Sequence, residues 1–304
     1  MAHHTESDPD NNRRIKVTFL STGTVKIRPS MRSQPANSHM LLRRLRSLTD
    51  WGWTDALPVG VFLVQHPQGP ILFDTGQSPL CNEPGYFPWW NMAGNSLAKF
   101  SVPPEEGLLA QLRAQGVDPV QLQAIVLSHL HNDHTGGLKE VHEAAPNVPI
   151  YVSEQQWRVF GEHPFHAAVE GCVPSQWPEN FNPKLLEEKD IPVGPWATSY
   201  PVTADGKVIA VDTAGHVPGH VSLVVYGEND DGAKVTYFLT GDAVYGLDLL
   251  DIEQPDGINS DPQRALKSLK LIKQFAAENE VVVLPSHDVN TAQILVNSTV
   301  YKPK

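Results

Sequence analysis

Between residues 129 and 134 the chain reads His129-Leu130-His131-Asn132-Asp133-His134, three imidazoles and a carboxylate in one short stretch. Imidazole nitrogen and carboxylate oxygen suit zinc and similar borderline divalent cations. Chain geometry lets His129 and His131 share one cation, while Asp133 and His134 point toward a second. Two cations held about 3.5–4 Å apart lower the pKa of a shared water, so that hydroxide forms at neutral pH. The chemistry expected of such a set is hydrolysis. A two-metal site needs more ligands, and three candidates stand further along the chain. These are His216 in Thr213-Ala214-Gly215-His216-Val217-Pro218-Gly219-His220, Asp242 in Thr240-Gly241-Asp242, and His287 in Pro285-Ser286-His287-Asp288. A lone histidine in a loop is more often structural or solvated, so each is weak by itself. Their shared position at strand ends gives them weight together.

The elements that must carry these residues can be read from periodicity. Residues 123–127 form a short apolar strand that leads straight into the histidine cluster. Residues 59–65 and 70–73 read as a hairpin ending at Asp74-Thr75-Gly76, and 15–20 as a strand running into the turn Ser21-Thr22-Gly23-Thr24. Further strands are expected at 149–152, 208–211, 221–226, 235–239 and 281–284. Helices are expected at 41–48, 103–115 and 137–143, and from Asp261-Pro262, an N-cap and an N1 proline, to about residue 278. Residues 78–101 and 161–200 lack a regular period, as lids and linkers do. Strands interleaved with helices, hairpins among them, indicate an α/β class with mixed sheets. The expected organisation is a disordered tail over residues 1–14 and one domain over 15–304.

Bulk properties narrow the partners. The 304 residues are 40% hydrophobic and 19% charged, a globular composition, with a formal net charge of −11. That acidity argues against nucleic acid or an anionic membrane as partner. Arg13-Arg14 and Arg43-Arg44-Leu45-Arg46 are local exceptions, read as solvated segments. The two cysteines, Cys81 and Cys172, have no metal-type spacing and suggest a reducing, cytoplasmic setting. No apolar run approaches the roughly 20 residues of a membrane span. Residues 28–58 are a candidate contact for a second copy in a homodimer.

Taken in order, Asp-Thr-Gly, the histidine cluster, Gly-His-x-Pro-Gly-His, Thr-Gly-Asp and Ser-His-Asp resemble the motifs of the metallo-β-lactamase superfamily, over residues 15–288. The resemblance implies an α/β fold, a four-layer αβ/βα sandwich of two mixed sheets with flanking helices, the metals lying at one edge. It implies that His129, His131 and His216 hold one metal, that Asp133, His134 and His287 hold the other, and that Asp242 bridges. Asp74 would orient a ligand loop from behind, and His220 would be structural. Zinc is expected first, with manganese, iron or cobalt also accepted by the donor set.

Departures from other branches narrow the activity. β-Lactamases of the commonest zinc class carry cysteine where this chain has Asp242, and they are exported. Redox di-iron members replace a cluster histidine with glutamate, whereas His131 is intact here. Superfamily nucleases need an RNA-binding surface, against which the acidity speaks. Tyr245, three residues after Asp242, and the Pro-Ser-His-Asp segment are similar to the N-acyl homoserine lactonases. That similarity implies a lactonase in which a metal-bridging hydroxide attacks a cyclic ester. Tyr245 and one metal would steady the oxyanion, and Asp133 would carry a proton to the leaving alkoxide. Two alternatives stay open. Tyr86, Phe87, Trp89, Trp90, Trp157, Phe165 and Trp177 mostly read as packing residues, but if several line the pocket, an aromatic-fused lactam or cyclic carbamate competes. A glyoxalase II-like thioesterase shares the cluster, although little chain follows His287 to supply that type's substrate-binding region. A scaffold without catalysis would lack ligands, and none is missing.

Overall fold

The computed structural model describes residues 14–91 and 96–304. Most of the expected tail, residues 1–13, lies outside the described residues, and Arg14 pairs with Glu228 at 3.6 Å. The first sheet holds β1 (Lys16–Ile27), β2 (Leu57–Gln65), β3 (Ile71–Phe73), β4 (Ala98–Ser101), β5 (Ala124–Val126), β6 (Ile150–Val152) and β7 (Lys184–Leu185), in the order β4-β1-β2-β3-β5-β6-β7. Pairing is antiparallel from β4 to β3 and parallel from β3 to β7. The second sheet holds β8 (Tyr200–Pro201), β9 (Val208–Asp212), β10 (Val221–Glu228), β11 (Lys234–Gly241) and β12 (Val281–Pro285), in the order β12-β11-β10-β9-β8. Only β11 and β12 run parallel there. Ten α-helical segments are described, namely α1 (Pro29–Arg32), α2 (Met40–Thr49), α3 (Leu108–Ala114), α4 (Asn132–Thr135), α5 (Leu138–Ala144), α6 (Glu154–Gln156), α7 (Pro164–Val169), α8 (Leu247–Asp251), α9 (Pro262–Glu278) and α10 (Thr291–Val296).

The layers follow from strand alternation, which sends successive side chains to opposite faces. In the first sheet Val61, Leu63, Leu72 and Ile125 face α3 and α5, meeting Leu108, Leu112, Leu138 and Val141. Their neighbours Phe62, Val64, Ile71, Phe73 and Val126 face the second sheet, meeting Val208, Ala210, Leu223, Leu239, Val282 and Leu284. The other face of that sheet, with Ile209, Val211, Val224, Phe238, Val281 and Val283, is covered by Leu269, Ile272, Phe275 and Ala276 of α9. The result is the expected four-layer αβ/βα sandwich.

Three local expectations are corrected. β1 does not stop at Ser21-Thr22-Gly23-Thr24 but continues to Ile27 through a register shift, with Gly23 at φ +85°. The helix expected over 103–115 is split. Gly107 is extended at φ −60°, ψ 151°, between a 3-10 turn at Pro104–Glu106 and α3. The third concerns Arg43, which is fully buried rather than solvated, while Leu41, Leu42, Leu45 and Leu48 of the same helix are exposed. Neighbouring loops offer that guanidinium carbonyl acceptors. Both cysteines are free and buried, and among the described residues no helix is long and apolar enough to cross a membrane.

Candidate metal centre

Strand direction gathers the site. β3 and β5 run parallel, so Asp74 and the cluster from His129 onward leave the first sheet at one edge. β9 is antiparallel to β10, which is antiparallel to β11, so β9 runs in the direction of β11 and its parallel neighbour β12. The loops that follow β9, β11 and β12 therefore leave the second sheet together, carrying His216, Asp242 and His287. Crevices beyond the carboxyl ends of strands are where open α/β sheets bind ligands.

All seven residues singled out from the sequence meet there. His129, His131 and His216 form one group, and Asp133, His134 and His287 another. Asp242 stands between them with one oxygen toward each. Its Oδ2 lies 3.5 Å from His216 Nε2 and 4.0 Å from His129 Nε2. Its Oδ1 lies 3.1 Å from His134 Nε2 and 3.2 Å from His287 Nε2. Every one of these imidazoles is buried, and the Asp133 side chain is 18% exposed.

The ring nitrogens that face inward fit a divalent cation. His129 Nε2, His134 Nε2 and Asp242 Oδ1 are buried without a hydrogen-bond partner. His134 Nε2 and Asp242 Oδ1 are close, yet they do not meet along a hydrogen-bond line. Buried polar atoms are seldom left so. Their outward counterparts are held. His134 Nδ1 donates to Asp74 Oδ2 at 2.8 Å, and His287 Nδ1 donates to the Pro58 carbonyl at 2.8 Å. His129 Nδ1 lies 2.9 Å from Ser128 Oγ. Fixing the outer nitrogen as donor leaves the inner lone pair for a metal. His131 Nδ1 and His216 Nε2 stand 3.0 Å apart, inside the first group.

Charge in the site is balanced between rings and carboxylates. Burial, reinforced by neighbouring imidazoles, pushes His129 and His131 well below the ordinary histidine value, so both are neutral. Burial acts the same way on His134, but Asp242 and Asp74 outweigh it and raise the ring; a divalent cation at Nε2 would take the place of the proton they favour there. For Asp242, burial works to raise the carboxyl, and His287 and His134 overcome it and hold it well below the carboxylate range.

Asp74, at the end of β3, sits fully buried at φ +67°, an unusual conformation for a residue other than glycine. Its carboxylate accepts hydrogen bonds from Ser128 N at 2.7 Å and Ser128 Oγ at 2.8 Å besides that from His134. The next residues brace the cluster: Thr75 N and Oγ1 both donate to the His134 carbonyl at 2.8 Å, and Gly136 N donates to Gly76 at 2.7 Å. Gly137 belongs to this contact, since a Cβ there would stand 2.5 Å from the Thr75 carbonyl. His220 spends both nitrogens on structure, with Thr213 Oγ1 2.9 Å from Nδ1 and Asp242 N donating to Nε2 at 3.1 Å.

Tyr245 is buried, its ring 5.9 Å from that of His216 and 5.2 Å from that of His287. Burial first, then the Asp242, Asp256 and Asp133 carboxylates, push its phenol well above the ordinary value. It remains a neutral hydrogen-bond donor. With His131, Asp133 and Asp242 it lines a cavity of about 350 Å³, whose other walls include Val25, Ile27, Met31, Leu48, Val169 and Ile258. Of the seven aromatic residues singled out from the sequence, Trp90 lines this cavity, and Phe100 lines it besides. Tyr86 and Phe87 pack with Phe100, and Trp157 and Trp177 pack around Phe181. Three contributors had not been anticipated: Ser128, the Pro58 carbonyl, and Asp256, whose Oδ2 lies 3.3 Å from His216 Nδ1. Ser128 adjoins the cluster, but Asp256 sits in Pro255-Asp256-Gly257, which reads as an ordinary turn.

Comparison with known proteins agrees with this geometry. Residues 54–287 match the family described as Metallo-beta-lactamase superfamily. An N-acyl homoserine lactonase from a Bacillus species is 32% identical over 77% of this chain and 82% of that relative. The N-acyl homoserine lactonase AttM of Rhizobium radiobacter is 28% identical over 76% of this chain and 82% of its own. Among solved structures, an N-acyl homoserine lactone hydrolase has the product N-hexanoyl-L-homoserine bound at its catalytic metal center. It superposes with a TM-score of 0.70 at 26% identity, covering 92% of this chain and 96% of that one.

Proposed function

This chain belongs to the metallo-β-lactamase superfamily, and from that premise we propose that it is a metal-dependent lactonase that opens the ring of N-acyl homoserine lactones. The observation that carries the proposal is Asp242, with one oxygen toward each of two His/Asp groups at the floor of an apolar cavity. His129, His131 and His216 would hold one cation, Asp133, His134 and His287 the other, and Asp242 both. When bound, two divalent cations supply a water activated at neutral pH and positive charge beside the ester carbonyl. Zinc is the proposed metal, the donor set being all nitrogen and oxygen.

The chain's own residues supply the rest. The Tyr245 hydroxyl donates a hydrogen bond to the oxygen of the carbonyl under attack, where negative charge grows in the transition state. Being neutral and buried, it does so without first shedding a water shell. Asp133, part-exposed on the cavity wall, takes the proton that the attacking water gives up and passes it to the departing ring oxygen as the ring C–O bond breaks. Val25, Ile27, Met31 and Ile258 take the acyl chain and keep water from it. That lining is mainly aliphatic, with Trp90, Phe100 and Tyr245 as its aromatics, and favours an acyl lactone over the aromatic-fused lactam.

The test is a rate comparison on protein of known metal content. Homoserine lactones of several acyl lengths, simple γ- and δ-lactones, thioesters and aromatic fused lactams are offered in parallel. Acylated homoserine lactones should have the highest kcat/KM. A preference for lactams or thioesters above every lactone would overturn the assignment.

A further inference from the structure

Resting on the reading that His129, His131 and His216 hold a metal, we propose that Asp256 is the positioning residue for His216. We propose also that buried Arg43 anchors it, so that the wall of the cavity sets the strength of one metal position and not the other.

The outward nitrogens of the two groups are held unequally. In the Asp133, His134 and His287 group, each ring has a firm acceptor at 2.8 Å, a carboxylate for His134 and a carbonyl for His287. In the other group, His131 Nε2 has no hydrogen-bond partner, and His216 Nδ1 faces Asp256 Oδ2 at 3.3 Å without an aligned bond. Asp256 is therefore the carboxylate able to turn His216, and it is buried, with 3% of its side chain exposed. Ile258 N donates to its Oδ1 at 3.0 Å and fixes the other oxygen toward His216.

What holds Asp256 is the segment that walls the cavity. Arg43, fully buried on α2, donates to the carbonyl of Asp256 at 2.5 Å and to those of Gln34 at 3.1 Å and Pro35 at 2.6 Å. Gln34 Nε2 donates in turn to the Arg43 carbonyl at 3.1 Å and the Gly257 carbonyl at 3.3 Å. Gly257 N donates to Met31 at 2.7 Å, and Ser260 N donates to the His216 carbonyl at 2.8 Å. Met31, Ser47, Leu48, Gly257, Ile258 and Ser260 of these same segments line the cavity. The chain of contacts thus runs from the cavity wall through Arg43 and Asp256 to one imidazole. A carboxylate behind a ligating histidine fixes its ring and raises its basicity, and losing one weakens metal binding by about 10–100-fold.

The test uses cobalt(II) titrated into the metal-free full-length protein, followed by visible absorption and by competition with a chelator. The wild type should take up two equivalents. Asp256→Asn should weaken one equivalent by about 10–100-fold, with loss of its absorption bands, and leave the other unchanged. Asp256→Glu should recover part of the loss, and Arg43→Lys should weaken the same equivalent by less. If Asp256→Asn does not fold, Asp256→Glu and Arg43→Lys carry the comparison. Two unchanged equivalents, or both weakened alike, would overturn the proposal. A wild type that takes up no cobalt would overturn the underlying metal reading.

Discussion

Replacing Asp74 with asparagine exchanges one oxygen for an NH2 group and leaves the volume almost unchanged. The native carboxylate accepts three hydrogen bonds, from Ser128 N, Ser128 Oγ and His134 Nδ1. Asparagine brings a single oxygen and must turn its NH2 toward at least one of those donors. The backbone N–H of Ser128 cannot turn away, so the oxygen stays with it and the NH2 faces Ser128 Oγ and His134 Nδ1. The hydroxyl can rotate to accept. The imidazole can accept only by moving its proton to Nε2, the atom that faces Asp242 and the proposed metal. A protonated nitrogen is no ligand, so affinity should fall about 10–100-fold at the Asp133, His134 and His287 position. That is about 1.4–2.7 kcal/mol. Loss of the bond to a charged acceptor costs about 1.5–3 kcal/mol of folding stability. For a domain of this size, that lowers Tm by roughly 2–5 °C. Chelator competition gives the two metal affinities, and melting of the metal-free protein separates the folding cost. Retention of both metals at unchanged affinity would refute the tautomer argument, as would equal loss of both.

Three further outcomes are expected. Tyr245→Phe should lower kcat on the order of 10²-fold with metal content and KM kept, and unchanged turnover would remove the hydroxyl from the reaction. Gly215→Ala should lower Tm, because Gly215 sits at φ +142° and a Cβ there would lie 2.2 Å from the backbone nitrogen of Ala265 in α9; an unshifted melt would show that the helix gives way freely. Burial pushes the Cys81 thiol up to about 12 from an ordinary 9.0. The folded protein should therefore resist thiol labelling by a disulfide reagent at pH 8, and prompt labelling of Cys81 would contradict this. The linked stability effect has a definite sign. Stability is untouched below about pH 9 and declines as pH rises toward 12, because the unfolded chain gives up that proton first.

Much of the site was legible without coordinates because its information is local. Six consecutive residues carry four of the candidate donors, and the rest follow strands whose apolar runs are plain in the sequence, such as Val281-Val282-Val283-Leu284 before His287. Strands interleaved with helices likewise showed the α/β class, whereas the four layers came from the family resemblance. Tertiary structure decided whatever depends on a partner far along the chain. Leucines of α2 face outward and Arg43 inward because carbonyls of Gln34, Pro35 and Asp256 surround that one position, and no periodicity records them. Of the aromatics of residues 78–101, Tyr86 and Phe87 turned to their neighbours, while Trp90 and Phe100 reach the cavity. The cavity wall was instead assembled from Val25, Met31, Val169 and Ile258, residues that only folding brings together. Asp256 shows the limit most plainly: in sequence it is the middle of a turn, and only the fold places its carboxylate behind His216.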